Sequence, residues 1–500
     1  MKIRKNDKVM PNGLSALAVK GFRQPRVACL AVATAVMTLL SVPAGAQEMI
    51  PRAADGGISA EMINEIRSAN TPTAADRALF NAVAVSSIDD IARNHAARNS
   101  MDTYFSDETP AQSIGDQESS GRCWMFSGLS VIRSDFARRT DSLTVDFSHN
   151  YLFFWDQLEK ANLFLQGIID TADRPIDDER VRFFFESPIS DGGTFCGVAD
   201  LTEKYGIVPK ELMPETYSSD NTRRMRAMLN SKLREQGLRL REMVNGGTAT
   251  ASDIMTAKKD MLAVVYHMLS LMLGEPPTEF TYAFKNNQGR TLTAEKTYTP
   301  LSFWQEVAGT ESLNGTFIMV MNDPRREFYK TYEVEYDRHS YDGHNWRYLN
   351  LPMNDIASLA IAAIKDGSKL YSSYDVGKFL DRKRGYCDIN NYDYEALMGT
   401  TFGMNKAERI MTYDSGSTHA MTLTAVDLDD EGKPRKWKAE NSWGASWGNN
   451  GCLIMTNEWM EEYMFRLVVN KQYVPAKLLK LNEQEPVMVM PEDPLFADDD

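Results

Sequence analysis

The sequence predicts an α+β fold, helical through its first two-thirds and strand-rich in its last third. After Cys123, Met125, Leu129, Ile132 and Phe136 recur at helical spacing, and residues 221–245 and 252–273 form two long helical stretches. After His419, Met421, Leu423 and Ala425 alternate, a charged turn follows at 427–432, and residues 437–441 form a return strand. The 500 residues are 43% hydrophobic and 25% charged, enough to bury a sizeable core and too apolar for a disordered chain.

The N-terminal segment has the character of a targeting signal. Lys2, Arg4, Lys5, Lys8, Lys20, Arg23 and Arg26 precede an apolar run over 27–42, and Ala44-Gly45-Ala46 supplies a small-residue cleavage site. The run falls short of the ~20 residues a membrane-spanning helix needs. Residues 1–46 are therefore expected to be a signal peptide, and the protein to be exported to the periplasm or beyond. Seven basic residues and Asp7 leave with that segment, so a formal net charge of −14 becomes −20. Such a charge opposes nucleic acid and, after cleavage, an anionic membrane surface as partners. Cys29 leaves too. Cys123, Cys196, Cys387 and Cys452 form neither a disulfide scaffold nor a CxxC zinc pattern, though one bridge among the last three is open.

Residues 47–110 are mostly helical and connecting, with a helix over 87–99 that opens on Ser-Ile-Asp-Asp. Residues 111–200 make a helical lobe around Cys123. Residues 201–345 have the pattern of a helical insertion suited to assembly, and 346–485 a β-rich lobe with a short helix over 356–364 that stops at Asp366-Gly367. Residues 486–500 are a tail. The 427–432 turn resembles a calcium loop, but Lys438 stands where a bidentate Glu is needed. His339 and His344 have a spacing that suits neither helix nor strand as a metal pair. Asn314-Gly-Thr316 fits a glycosylation acceptor, a pattern too common to carry weight. No metal or organic cofactor is expected.

Three stretches carry chemistry: Gln117-Glu-Ser-Ser-Gly-Arg-Cys123-Trp-Met-Phe126, Thr418-His419-Ala420 and Glu440-Asn441-Ser-Trp443-Gly444. A thiol attacks as thiolate, which a helix N-terminus and an imidazole partner favour. Cys123 opens a helix. His419 starts a strand and can take the thiol proton and return it to a leaving amine. The Asn441 carbonyl can orient the ring, and the Gln117 amide with the Cys123 N–H can hold an oxyanion. Trp443 is expected to cover the histidine–asparagine contact at the edge of the substrate site.

Gln-x5-Cys-Trp, His-Ala before a strand and Asn-Ser-Trp-Gly resemble the papain family. The longer string Gln-x-Ser-Ser-Gly-Arg-Cys-Trp is similar to its bleomycin hydrolase (aminopeptidase C) branch. So are Tyr151-Leu-Phe-Phe-Trp-Asp156, Asp191-Gly-Gly193, Glu203-Lys-Tyr-Gly206, Thr222-Arg-Arg-Met225, Val320-Met-Asn-Asp-Pro324, Asp375-Val-Gly-Lys378 and Met404-Asn-Lys-Ala-Glu-Arg409. The resemblance implies a two-lobed papain-like cysteine peptidase core with a helical insertion, a homohexameric assembly and peptide substrates. It also implies a tail in the cleft whose terminal carboxylate, here Asp500, captures the substrate's amine. Gly192 and Gly193 resemble the Gly-Gly whose backbone pairs with an extended substrate. The chain departs from the branch in its signal-like leader and in the closing Asp498-Asp499-Asp500. These acids leave an endopeptidase with an open cleft as the alternative, and a non-catalytic oligomeric scaffold or nucleic-acid binder as a third reading.

Overall fold

The computed structural model describes residues 56–96, 102–140, 143–286, 288–309 and 312–496. The expected signal peptide with Cys29, and Asp500 with the three residues before it, lie outside the described residues. The described residues divide into two units, one ending at residue 81 and the other beginning at residue 82. The first holds α1 (Ala60–Ala69), capped by Ser59, and most of α2 (Ala74–Val83); neither helix buries a residue.

The second unit carries everything else. Its α3 (Ile88–Ala92) begins as expected, with the Ser87 hydroxyl accepting the Asp90 N–H at 3.1 Å. It is shorter than 87–99 because Arg93 turns out of the helix to bridge Tyr392 and pair with Asp381 at 2.9 Å. β1 (Asp107–Glu108) precedes α4 (Cys123–Arg139), β2 (Leu143–Thr144) and α5 (His149–Asp170); α6 (Glu179–Glu186) and α7 (Phe195–Tyr205) follow. A short α8 (Tyr217–Asp220) leads into α9 (Thr222–Asn245), and Thr250 with Asp253 forms the capping box that starts α10 (Ala251–Leu273). The inserted helices are no separate body. Leu229, Leu233 and Leu240 of α9 and Val265, Leu269 and Leu273 of α10 join one apolar core with Phe164 and Leu165 of α5 and Trp124 and Leu129 of α4.

β3 (Phe280–Tyr282) pairs with β5 (Lys296–Tyr298), and β4 (Lys285–Asn286) with β2, as two ribbons; α11 (Pro300–Ala308) and α12 (Leu313–Thr316) then lead into the main sheet. Its strands are β6 (Phe317–Met321), β7 (Thr331–Val334), β8 (Arg347–Asn350), β9 (Leu370–Tyr374), β10 (Leu380–Asp381), β11 (Tyr386–Cys387), β12 (His419–Leu428), β13 (Pro434–Glu440), β14 (Cys452–Thr456), β15 (Met464–Asn470) and β16 (Val487–Val489). They run in the order β10-β11-β14-β13-β12-β9-β15-β6-β8-β7-β16, with β1 beside β12.

The expected hairpin is β12–β13, in register at Thr422–Glu440 and Val426–Trp437. Its turn uses Asp429 to accept the Glu431 and Lys433 N–H groups at 2.9 and 2.8 Å. The alternation of Met421 and Leu423 suggests one buried face, yet β12 is buried on both. Met421 and Leu423 pack with α13 (Met353–Lys365), whereas Ala420 faces the core that contains α4. Cys123, Cys196, Cys387 and Cys452 are all free thiols. No group of three or more His, Cys, Asp or Glu among the described residues could hold a metal ion.

Candidate active site

Cys123 is the first residue of α4, and Trp124, Met125 and Phe126 bury the turn behind it. The helix presents the sulfur to β12, where the Ala420 N–H donates to Cys123 Sγ at 3.4 Å. His419 begins β12 one residue earlier, and Asn441 follows the paired strand β13, so the hairpin register brings the two side chains together. His419 Nε2 lies 2.7 Å from Asn441 Oδ1. With Nε2–H donating to the amide, Nδ1 is the nitrogen left for the thiol proton. Trp443 lies over the His419 ring with centroids 4.8 Å apart, and the Arg382 guanidinium sits over the indole. The indole thus shields the histidine–asparagine bond from water, which keeps that bond strong.

Burial is the dominant electrostatic fact at the site. It drives the His419 imidazole down to about 4, opposed by the Asn441 hydrogen bond and reinforced by Arg382. It pushes the Cys123 thiol up to about 11, opposed by the Ala420 and Trp124 N–H groups and reinforced by the Asp191 carboxylate. Burial thus disfavours the charged form of each group.

Gln117 is fixed by its neighbours. Its N–H donates to Ser442 O at 2.8 Å, and its Oε1 accepts the Ser442 hydroxyl at 2.5 Å. Its Nε2 donates one hydrogen to Ser120 O at 2.5 Å, which leaves the second amide hydrogen for an oxyanion. The sequence pattern does not reveal Ser442 in this role.

A cleft of about 490 Å³ opens over these groups, lined by Gln117, Cys123, His419, Gly192, Gly193 and the chain's own Pro494, Leu495 and Phe496. The tail arrives there because β16 runs parallel to β7 and Asp493 then pairs with Arg325 and Arg326 at 2.7 and 2.8 Å. The Gly-Gly loop is held from behind. Lys160 Nζ donates to Gly192 O at 2.6 Å and Ser190 O at 3.0 Å, and the Thr194 N–H donates to His339 Nε2 at 3.2 Å. His339 Nδ1 in turn donates to the buried Asp156 at 2.5 Å. A β-carbon on Gly193 would clash with the His339 ring, so this glycine answers a packing demand as well as a backbone one. Sequence reasoning left His339 without a role. Asp156 lies in a string that resembles the family, but no spacing connects it to residue 339.

A thiol at a helix N-terminus, sharing one cleft with an imidazole that a neighbouring amide orients, is the arrangement of a papain-like cysteine peptidase. The Peptidase C1-like family model matches residues 57–496, and the chain belongs to that family. Bleomycin hydrolase of Homo sapiens is 39% identical over 391 residues, covering 77% of this chain and 86% of the human protein. Aminopeptidase C of Lactobacillus delbrueckii subsp. lactis is 35% identical over 445 residues, 88% of this chain and 98% of its own. The crystal structure of PepW from Lactobacillus rhamnosis HN001 superposes with a TM-score of 0.83 at 35% identity, over 88% of this chain and 99% of PepW. The protein is a cysteine peptidase.

Proposed function

We propose that the protein is an aminopeptidase that removes residues from the N-termini of short peptides through an acyl-enzyme on Cys123. The Cys123 sulfur attacks the first peptide carbonyl as its proton passes to His419 Nδ1. The oxyanion is held by the Gln117 amide and the Cys123 N–H. The C–N bond breaks as His419 protonates the leaving amine, and water then hydrolyses the thioester with His419 as base. Asn441 keeps the ring oriented throughout, under the cover of Trp443, while the Gly192–Gly193 backbone aligns the substrate.

The observation that carries this reading is the cleft wall built from Pro494, Leu495 and Phe496. A cleft walled by the chain's own tail suits a peptide end better than a continuous polypeptide. In this reading a carboxylate of the last residues, Asp500 foremost, receives the substrate's ammonium group. The run Asp498-Asp499-Asp500 favours a second reading, in which the tail is trimmed or displaced and the enzyme acts as an endopeptidase. We further propose export through cleavage near residue 46, supported by the basic leader and apolar run, and a homohexamer, supported by the family resemblance. N-terminal sequencing of secreted protein and light scattering test these two points.

The nucleophile is tested by alkylation. Iodoacetamide should modify Cys123 and abolish hydrolysis of an aminoacyl coumarin amide in proportion, and Cys123→Ala should be inert. Activity that survives complete Cys123 alkylation would refute the reading.

A further inference from the structure

The loop that carries Gln117 and leads into Cys123 has little structure of its own. Within it, Gln117 Nε2 donates to Ser120 O and the Ser120 hydroxyl donates to Gln117 O. Besides the bonds of Gln117 to Ser442 and the Asp116–Trp443 bridge, its anchors come from residue 191 and residues 215–226. The Ser119 N–H donates to Asp220 O at 2.9 Å, and the fully buried Arg122 guanidinium pairs with Glu215 at 2.7 Å.

Asp191 is the centre of this attachment. It is 6% exposed and accepts from the Gly121 N–H at 2.7 Å, the Thr222 hydroxyl at 2.5 Å and the Arg226 guanidinium at 3.0 Å. Its backbone carbonyl accepts the Trp124 indole N–H at 2.9 Å. One residue therefore touches both sides of Cys123 and the first turns of α9. The approach is close enough to dictate residue 121, where a β-carbon would lie 2.7 Å from Asp191 Oδ1. Asp191 also begins the Gly192–Gly193 loop that lines the cleft.

A carboxylate is a poor neighbour for a nucleophilic thiol, because its charge opposes the thiolate. It stands among the groups that raise Cys123. Asparagine would still accept the Gly121 N–H without that penalty but also without charge assistance, and the feature that most needs the charge is the ion pair with Arg226. The benefit of the carboxylate therefore lies in geometry rather than in thiol activation.

We propose that Asp191 is a positioning residue: it fixes the Gly121–Cys123 backbone and its oxyanion donors to α9, so that the placement of the inserted helices sets the turnover rate. This rests on the reading of Cys123 as nucleophile. A small displacement of oxyanion donors costs far more in the transition state than in substrate binding.

The test uses full-length protein carrying Asp191→Asn, Arg226→Met, Arg226→Lys or Cys123→Ala. It measures kcat and KM on an aminoacyl coumarin amide, the pH dependence of Cys123 alkylation by iodoacetamide, and thermal melting. Asp191→Asn should lower kcat about 10- to 100-fold with KM within about threefold. Its alkylation should be as fast as wild type or faster, with the midpoint moved to lower pH. Arg226→Met should reproduce the kcat loss without touching the cleft-loop carboxylate, and Arg226→Lys should recover part of it. Wild-type kcat in both Asp191→Asn and Arg226→Met, with Cys123→Ala inert, would overturn the inference and leave the nucleophile intact. Loss of kcat and of alkylation together in both variants would overturn it as well, since that marks a collapsed site. Hydrolysis by Cys123→Ala would instead overturn the underlying reading.

Discussion

His419 Nε2 and Asn441 Oδ1 are 2.7 Å apart beneath the Trp443 indole, and that contact engages Nε2 and leaves Nδ1 available for the thiol proton. The asparagine is itself pinned, because its Oδ1 also accepts the Ser442 N–H at 2.8 Å. Replacing it with alanine frees the ring to rotate and to change tautomer. Asn441→Ala should lower kcat about 100-fold with little change in KM. An unchanged kcat would show that the ring is held by Trp443 alone.

The pH profile follows from burial. The reactive form carries one proton across the Cys123–His419 pair. On acidification the imidazole takes a second proton, which burial delays from the ordinary 6.5 to about 4. On alkalinisation the pair loses its last proton, which burial delays from 9.0 to about 11. Steady-state kcat/KM should therefore be level through neutral pH, with an acid limb near 4 and an alkaline limb above 9. An acid limb centred at 6.5 would contradict the lowering of His419 by burial.

The tail should control substrate class. Removing residues 494–500 takes away the Leu495 and Phe496 wall while keeping the Asp493 pairs with Arg325 and Arg326. Loss of a charge-assisted bond to the substrate ammonium costs about 1.5–3 kcal/mol, so the preference for a free amine should fall about 10- to 100-fold. Rates on matched free and blocked peptides measure that ratio. A truncated enzyme with undiminished preference would place amine recognition elsewhere in the cleft.

Gly193→Ala should act on stability before chemistry. Its methyl group would meet the His339 ring and the Trp124 indole, both packed against buried neighbours. Overpacking of this kind costs about 1–3 kcal/mol. Urea unfolding monitored by tryptophan fluorescence should show a lower midpoint with an unchanged slope. An unchanged midpoint would mean that the His339 ring yields to the methyl group freely.

The site was legible where local pattern and chemistry coincide. Cys123 opens a helix with a visible apolar stripe, and His419 and Asn441 sit on a hairpin whose alternation and charged turn are plain in the sequence. The helices at 222–245 and 251–273 were visible for the same reason. What stayed hidden depends on long-range contact. Asp156 and His339 are 183 residues apart, and Asp191 meets Gly121 across 70. The second buried face of β12 could not be read either, since Thr422 and Thr424 look solvent-facing in the pattern yet are buried, Thr422 against Ser127 of α4. The helix expected over 87–99 was overextended because nothing local shows that Arg93 leaves to meet Asp381.

One short fluorogenic peptide, offered with a free and with an acetylated N-terminus and with Cys123→Ala as the blank, tests the aminopeptidase activity directly. The wild-type enzyme should hydrolyse the free form alone, and the mutant neither form. Equal hydrolysis of both forms would contradict the aminopeptidase reading and leave a cysteine endopeptidase in its place.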